Sequence, residues 1–211
     1  LDDGASDPCV NDTDDRCGRR EFPEKAILVA TGTTQANSSI YIFDAKDNSL
    51  WMQFAAGNYR PVGSGATSLK SVFALNGKIY VGQNNGMAEI NFINEESYTT
   101  NTNGKLTSFA NISQRNATQT DWRSQSASTI PLVADSGNDV SATVINGKTY
   151  LAVATNGGVS LINETDQKVI NYDTASGADV YSVQLTKDGT LYFSEAKNYE
   201  LAVFTNVQND T

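Results

Sequence analysis

The chain reads as all-β, a series of small antiparallel sheets built from one repeated strand–turn–strand unit. Three observations predict this. The segment Ser71-Val-Phe-Ala-Leu-Asn-Gly-Lys-Ile-Tyr80 returns as Ser141-Ala-Thr-Val-Ile-Asn-Gly-Lys-Thr-Tyr150, and again, with a turn one residue longer, as Ser182-Val-Gln-Leu-Thr-Lys-Asp-Gly-Thr-Leu-Tyr192. Asn-Gly and Asp-Gly dipeptides punctuate the alternating apolar segments, the strongest short-range signal for hairpins. No stretch carries a sustained helical period.

The elements follow in order. Residues 1–24 are polar and acidic, with Pro8 and Pro23 as punctuation, and form an N-terminal extension. A degenerate first copy begins with Ala26-Ile-Leu-Val-Ala-Thr31, continues with Ser39-Ile-Tyr-Ile-Phe43 and ends with Leu50-Trp-Met-Gln-Phe54. In the second and third copies, Asn76-Gly77 and Asn146-Gly147 close a first hairpin. Gly86–Asn91 and Gly158–Asn163 give a third strand, and Ser97–Thr100 and Lys168–Tyr172 a fourth. The last copy turns at Asp188-Gly189 and reaches Asn198–Val203. All three turns are expected to be type I′, which needs positive φ at both central residues. Tyr80, Tyr150 and Tyr192 each follow a turn glycine by three residues and so hold equivalent places on equivalent strands. The first copy lacks its innermost strand and the last its outermost, which leaves two strand edges seeking partners. Gly77 to Gly147 is 70 residues and Gly147 to Gly189 only 42, so a long loop is expected at about 107–138. A fifth, diverged unit using Ser126–Val133 is the alternative reading of that stretch.

A unit of four antiparallel strands in about 35–45 residues has the size of a propeller blade. The segments Ile27–Phe43 and Tyr150–Ile162 pass from a small-residue strand end through a hairpin into a Val/Ile-rich strand. In this the chain resembles the β-propeller repeat proteins of the surface-layer and two-component-regulator type, over about residues 26–206. The resemblance implies a small β-propeller over 25–211, with four blades of four strands, or five if the long loop holds a diverged one. It implies little about a ligand.

Composition bounds the function. The net charge of −9, from 15 basic and 24 acidic residues, repels phosphate backbones, so nucleic acid is not an expected partner. The longest apolar run, Ala26–Ala30, is far short of the roughly 20 residues of a spanning helix. Leu1-Asp-Asp-Gly has no basic-then-apolar start, so no signal peptide is read in the sequence. Low Lys, abundant Asn, Ser and Thr, and no His suit an extracellular protein. There, Cys9 and Cys17 pair and pin the extension. Sequons at Asn11, Asn37, Asn111, Asn116, Asn163 and Asn209 permit glycosylation.

The absence of histidine removes Ser-His-Asp and Cys-His nucleophiles and His-ligated metal. No phosphate-cradling glycine loop opens a helix. Carboxylates at strand ends, Asp44, Glu89, Asp179 and Glu195, are the candidates for a glycosidase pair. Acids there also serve turns and solubility, and catalysis is not the expectation. Asp7, Asn11, Asp12, Asp14 and Asp15 crowd the extension, and oxygen-rich clusters bind calcium. This stretch looks like the Asp-rich calcium loops of thrombospondin type 3 repeats, but it lacks their repeated D-x-D-x-D-G register, so a solvated acidic tail is the favoured reading. Trp51 and the repeat tyrosines are expected to pack between blades. Trp122, inside the polar loop, is the candidate ligand contact. The expected function is a non-enzymatic structural or adhesive module working through protein–protein contacts, self-assembling by strand or terminus exchange into a filament. A lectin-like carbohydrate binder using Trp122 is the alternative.

Overall fold

The computed structural model describes residues 23–32, 38–55, 62, 68–107, 130–174, 177–195 and 200–209. Within these, fifteen strands form four antiparallel sheets in chain order. Blade 1 holds β1 (Ala26–Thr31), β2 (Ser39–Asp44) and β3 (Leu50–Ala55). Blade 2 holds β4 (Leu69–Leu75), β5 (Lys78–Gln83), β6 (Gly86–Asn91), β7 (Glu96–Asn101) and β8 (Gly104–Thr107). Blade 3 holds β9 (Gly137–Ile145), β10 (Lys148–Thr155), β11 (Gly158–Asn163) and β12 (Lys168–Asp173). Blade 4 holds β13 (Val180–Leu185), β14 (Leu191–Glu195) and β15 (Glu200–Phe204), followed by one 3-10 turn, Val207–Asn209. Each strand pairs only with its sequence neighbours, the meander of a propeller blade. The protein is a small β-propeller.

The expected four strands per blade hold for blade 3 alone; the others have three, five and three. Among the described residues the two three-stranded sheets are the first and the last in chain order. The extra β8 arises because Asn101 turns the chain back: its Oδ1 accepts from the Asn103 N–H, and Gly104 sits at φ 99°. Most of the long loop lies outside the described residues, and so do residues 126–129 of the candidate fifth blade. Residues 130–133 are not strand. Instead, Ile130 and Leu132 are buried between blades 2 and 3, with the Leu132 N–H donating to the Asn101 carbonyl.

Asn76-Gly77 and Asn146-Gly147 have positive φ at both positions, as a type I′ turn requires. The Asp188-Gly189 turn departs from the expectation. Only Gly189 has positive φ, because the extra residue is absorbed by a wider loop. In it the Thr186 N–H and Thr190 carbonyl pair, and the Asp188 carboxylate accepts from the Thr190 N–H. Gly86 and Gly158 open equivalent strands. A Cβ on either would lie 2.0 or 2.1 Å from the carbonyl oxygen of Thr100 or Tyr172 on the next strand, so no side chain fits there.

Three cores join the blades. The first lies between blades 1 and 2 and holds Ile40, Trp51, Met52 and Phe54 against Ile79, Val81 and Ile90, so Trp51 packs between blades as expected. The second sets Tyr80 and Met87 of blade 2 against Val140, Leu151 and Val153 of blade 3. The third sets Tyr150, Ala152 and Leu161 of blade 3 against Val183, Leu185 and Phe193 of blade 4. The inner strands run side by side, β4 next to β9 and β9 next to β13. Side chains of β9 satisfy the N–H groups of β13: the Val183 N–H donates to Asp139 and the Leu185 N–H to Ser141 Oγ. Among the described residues no core joins blade 4 to blade 1.

Candidate functional site

The first and last blades carry partly exposed apolar side chains on the faces turned away from the three cores. Their chemistry follows from strand register. In blade 1, Leu28, Ile42 and Met52 align across the sheet, as do Ala30, Ile40 and Phe54, and these rows enter the core with blade 2. Side chains alternate between faces along a strand. The opposite face therefore carries the rows Ile27–Phe43–Leu50 and Val29–Tyr41–Gln53. Tyr41 and Phe43 stack there at 6.3 Å between ring centroids, and Ile27 and Val29 are 43% and 37% exposed.

Blade 4 is organised the same way. Val183, Phe193 and Ala202 form one row and Leu185, Leu191 and Phe204 another, both facing blade 3. Phe204 stacks on Phe193 at 5.6 Å and meets Tyr172 of blade 3 at 4.8 Å. The outward rows are Gln184–Tyr192–Val203 and Ser194–Leu201. Leu201 is 66% exposed and Val203 50%. β1 and β15 are also edge strands, each pairing on one side only among the described residues.

The three repeat tyrosines show what such a face does when it is covered. Tyr80 is fully buried against blade 3, and its hydroxyl donates to Glu164 Oε2 at 3.0 Å, in the β11–β12 turn. Tyr150 is buried against blade 4, its Oη 3.5 Å from the Gln208 carbonyl just after β15. In both, the tyrosine of one blade reaches the segment after the third strand of the next. Tyr192 holds the same place on blade 4 and faces outward, 36% exposed.

A second cluster lies at the edge of the blade 2–blade 3 boundary. Glu89 on β6 is buried between Lys78 Nζ at 2.9 Å and Lys105 Nζ at 2.8 Å. Lys78 also meets Glu164 of blade 3 at 2.7 Å, and the Lys105 ammonium lies 4.0 Å from the Tyr98 ring centre. Burial pushes the Glu89 carboxyl up, but the ammonium groups of Lys105 and Lys78 outweigh it and hold the group below the usual carboxylate range. A glycosidase general acid needs the opposite shift. Burial, with the Glu164 and Glu89 charges, raises the Tyr80 phenol, so it stays a hydrogen-bond donor. The cluster is an ion-pair network clamping two blades. Sequence reasoning missed it because Lys105 belongs to the unforeseen β8 and Glu164 lies far along the chain; Lys78 and Lys105, directly after Asn76-Gly77 and Asn103-Gly104, were the visible signal.

At one end of the inner strands, Lys70 Nζ donates to Ser136 Oγ at 2.7 Å and to Asn138 Oδ1 at 2.6 Å, and Asn138 Nδ2 donates to the Val180 carbonyl. Burial lowers the Lys70 ammonium despite nearby Asp179, which accepts from the Tyr181 hydroxyl. Of the other carboxylates, Asp44 caps the β2–β3 turn, accepting from the Lys46 N–H, and Glu195 ends β14. Asp179 precedes Val180, the register partner of Glu195, so these two acids lie at one edge of blade 4, while Asp44 is at the end of β2 in blade 1 and Glu89 on β6 in blade 2.

Asn163, one of the sequon residues, sits inside the blade 3–blade 4 boundary. It is fully buried, its Nδ2 donates to Tyr150 Oη and Asp166, and its Oδ1 accepts from the Asp166 N–H. These bonds make it part of the β11–β12 turn. Asn209 is exposed. Asn11, Asn37, Asn111, Asn116, Cys9, Cys17, Asp7, Asp12, Asp14, Asp15 and Trp122 lie outside the described residues. No group of three or more metal-ligating side chains occurs among the described residues, and no helix among them is long and apolar enough to cross a membrane.

No family model and no curated protein matches the chain. Among solved structures, the computationally designed Ika4 protein overlaps at a TM-score of 0.46 and 8% identity, over 87% of each chain. Virginiamycin B lyase from Staphylococcus aureus overlaps at 0.36 and 10% identity, over 84% of this chain and 68% of its own. The Malassezia sympodialis allergen Mala s 1 overlaps at 0.42 and 10% identity, over 87% of this chain and 60% of its own. The architecture rests on the strand order and cores described above, and these overlaps carry no argument about activity or ligand.

Proposed function

We propose that the protein is a non-enzymatic structural or adhesive propeller module, extracellular in location, that works through protein–protein contacts and associates with itself through its two open ends. The finer kinship, with surface-layer and two-component-regulator propellers, is part of this proposal. The observation that carries it is the pair of apolar faces on blades 1 and 4, where Ile27, Val29, Leu201 and Val203 remain exposed while equivalent rows between the inner blades are buried. Exposed apolar surface beside free strand edges favours association by burying area and by pairing backbone groups. The lack of histidine and the lowered pKa of buried Glu89 both fit a role that needs no proton transfer.

Sedimentation velocity across a wide concentration range tests this. The expected result is a reversible shift to larger species as concentration rises. A single 22.7 kDa species at every concentration would count against the proposal.

A further inference from the structure

Five Asn-Gly pairs occur in this chain, beginning at Asn76, Asn85, Asn103, Asn146 and Asn156. The pair carries a chemistry of its own. The backbone nitrogen after an asparagine can attack the side-chain carbonyl carbon, and glycine leaves that nitrogen unobstructed because it has no Cβ. A bond forms between the glycine nitrogen and Cγ, the Cγ–Nδ2 bond breaks, and the amide leaves as ammonia with the proton from the glycine nitrogen. Water then opens the cyclic imide at either carbonyl, giving aspartate or isoaspartate. The ring closes only when the asparagine leaves its turn geometry, so the rate follows how easily each turn opens.

Three of the pairs, at Asn76, Asn103 and Asn146, share the context Asn-Gly-Lys, so what separates them is the fold. The Asn76 turn is held from the side. The Phe92 N–H donates to the Gly77 carbonyl at 3.0 Å, and Ile93 lies 3.2 Å from where a Cβ on Gly77 would be. Lys78 pairs with Asn91 across the sheet and with the Glu89 and Glu164 carboxylates. At Asn103 the residue's own N–H donates to Asn101 Oδ1, Asp135 accepts from the Thr102 N–H, and Gly104 is buried. Asn85 precedes Gly86, whose packing against Thr100 admits no side chain. Asn156 is held at both reacting groups. Its Oδ1 accepts from Asn138 Nδ2 at 3.0 Å, and the Gly157 N–H, which must become the nucleophile, donates to Thr155 Oγ1 at 3.2 Å.

Among the described residues the Asn146 turn has none of these restraints. β10 begins at Lys148 but its pairing with β11 begins only at Tyr150, so the β9–β10 tip projects past the neighbouring strand. Asn146, Gly147 and Lys148 are all exposed, and among the described residues nothing lies within 4 Å of a Cβ built on Gly147. Gly147 is the second central residue of its turn, and the bond that closes a β-turn does not use that residue's N–H. We propose that Asn146 is the Asn-Gly site at which this protein deamidates first, closing a succinimide through the Gly147 nitrogen, while Asn138 and Thr155 keep Asn156 intact. The product adds one negative charge to a chain already at −9, beside Lys148, which is paired with Asp166.

Peptide mapping by mass spectrometry tests it, on the native full-length chain held at mildly alkaline pH and body temperature, with a parallel sample in urea. In the folded sample Asn146 is expected to convert about tenfold or more faster than Asn156, with isoaspartate appearing beside aspartate. In urea its advantage over Asn76 and Asn103 should vanish. Thr155→Val frees the Gly157 N–H and should speed conversion at Asn156 while leaving Asn146 unchanged. Asn138→Ala releases Asn156 from the other side and should act in the same direction. Circular dichroism establishes that each variant is folded. Conversion at Asn76, Asn85, Asn103 or Asn156 as fast as at Asn146 in the folded chain would overturn the assignment. So would an Asn146 that stays intact in the folded chain while it converts in urea. Asn156 converting no faster in either folded variant would overturn the protection by Asn138 and Thr155.

Discussion

The boundary between blades 2 and 3 and the outer faces of blades 1 and 4 are built from the same repeat, and they behave oppositely. At the inner boundary Tyr80 is fully buried, Glu164 receives its hydroxyl, and Glu89 is clamped between two lysines. At the ends, Tyr192, Ile27 and Val29 occupy corresponding positions and stay exposed. The difference lies in neighbours rather than in residue type. A propeller blade cannot bury both faces by itself, so a repeat at the end of an array keeps apolar surface that an inner repeat hides. Natural arrays blunt such ends with polar capping repeats. Here the end rows mix Ile27, Val29, Tyr41, Phe43, Leu50, Tyr192, Leu201 and Val203 with Gln53, Gln184 and Ser194.

That contrast can be broken at its filled side first. Tyr80→Ala should cost about 3–5 kcal/mol of unfolding free energy, the usual loss for a buried aromatic side chain. Urea denaturation measures it, and a loss below about 1 kcal/mol would mean that the inner boundary is not the tight one. Glu89→Gln should cost about 3 kcal/mol, because it leaves the Lys78 and Lys105 ammonium groups facing a neutral amide.

The same carboxylate sets a pH dependence. Its folded pKa lies below the ordinary value of 4.5, so its stabilisation is complete above that pH and disappears as pH falls through the folded value. Urea midpoints measured at neutral pH and down through the acid range should show the native chain losing more stability than Glu89→Gln.

Glycine substitutions separate a filled position from an empty one within a single blade. Gly158→Ala should cost about 2 kcal/mol, since it combines positive φ with a clash against the Tyr172 carbonyl. Gly147→Ala has positive φ but nothing within 4 Å, and should cost about 1 kcal/mol. Thermal melts of the pair rank them. The smallest effect belongs to the open side: Tyr192→Ala should change the stability of the dilute monomer by less than about 1 kcal/mol while weakening association.

Much of the architecture was legible. Asn-Gly dipeptides marked two hairpins, because few other residue pairs take positive φ twice, and the repeat placed Tyr80, Tyr150 and Tyr192 on equivalent strands. β8 was missed although Asn103-Gly104 stood before it, since a fifth strand has no counterpart in the repeat. The Asp188 turn was misjudged because one added residue changes which position must be left-handed. The end faces were half legible. The missing strands pointed to open edges, but the continuous apolar run Ala26–Ala30 signals a strand meant to be covered on both faces. Only the register reveals that Ile27 and Val29 are on the uncovered one. The Glu89 clamp was not legible, because its partners come from β5, β8 and blade 3 and meet only in the folded chain.

Hydrogen exchange read strand by strand at a concentration low enough to hold the chain monomeric tests the proposed exposure of the end faces most directly. The account predicts fast exchange in β1 and β15 and slow exchange in β5, β6, β10 and β11, with β1 and β15 slowing as concentration rises. Protection of β1 and β15 equal to that of β10 in the dilute monomer would show that the chain covers its own ends, and would contradict the account.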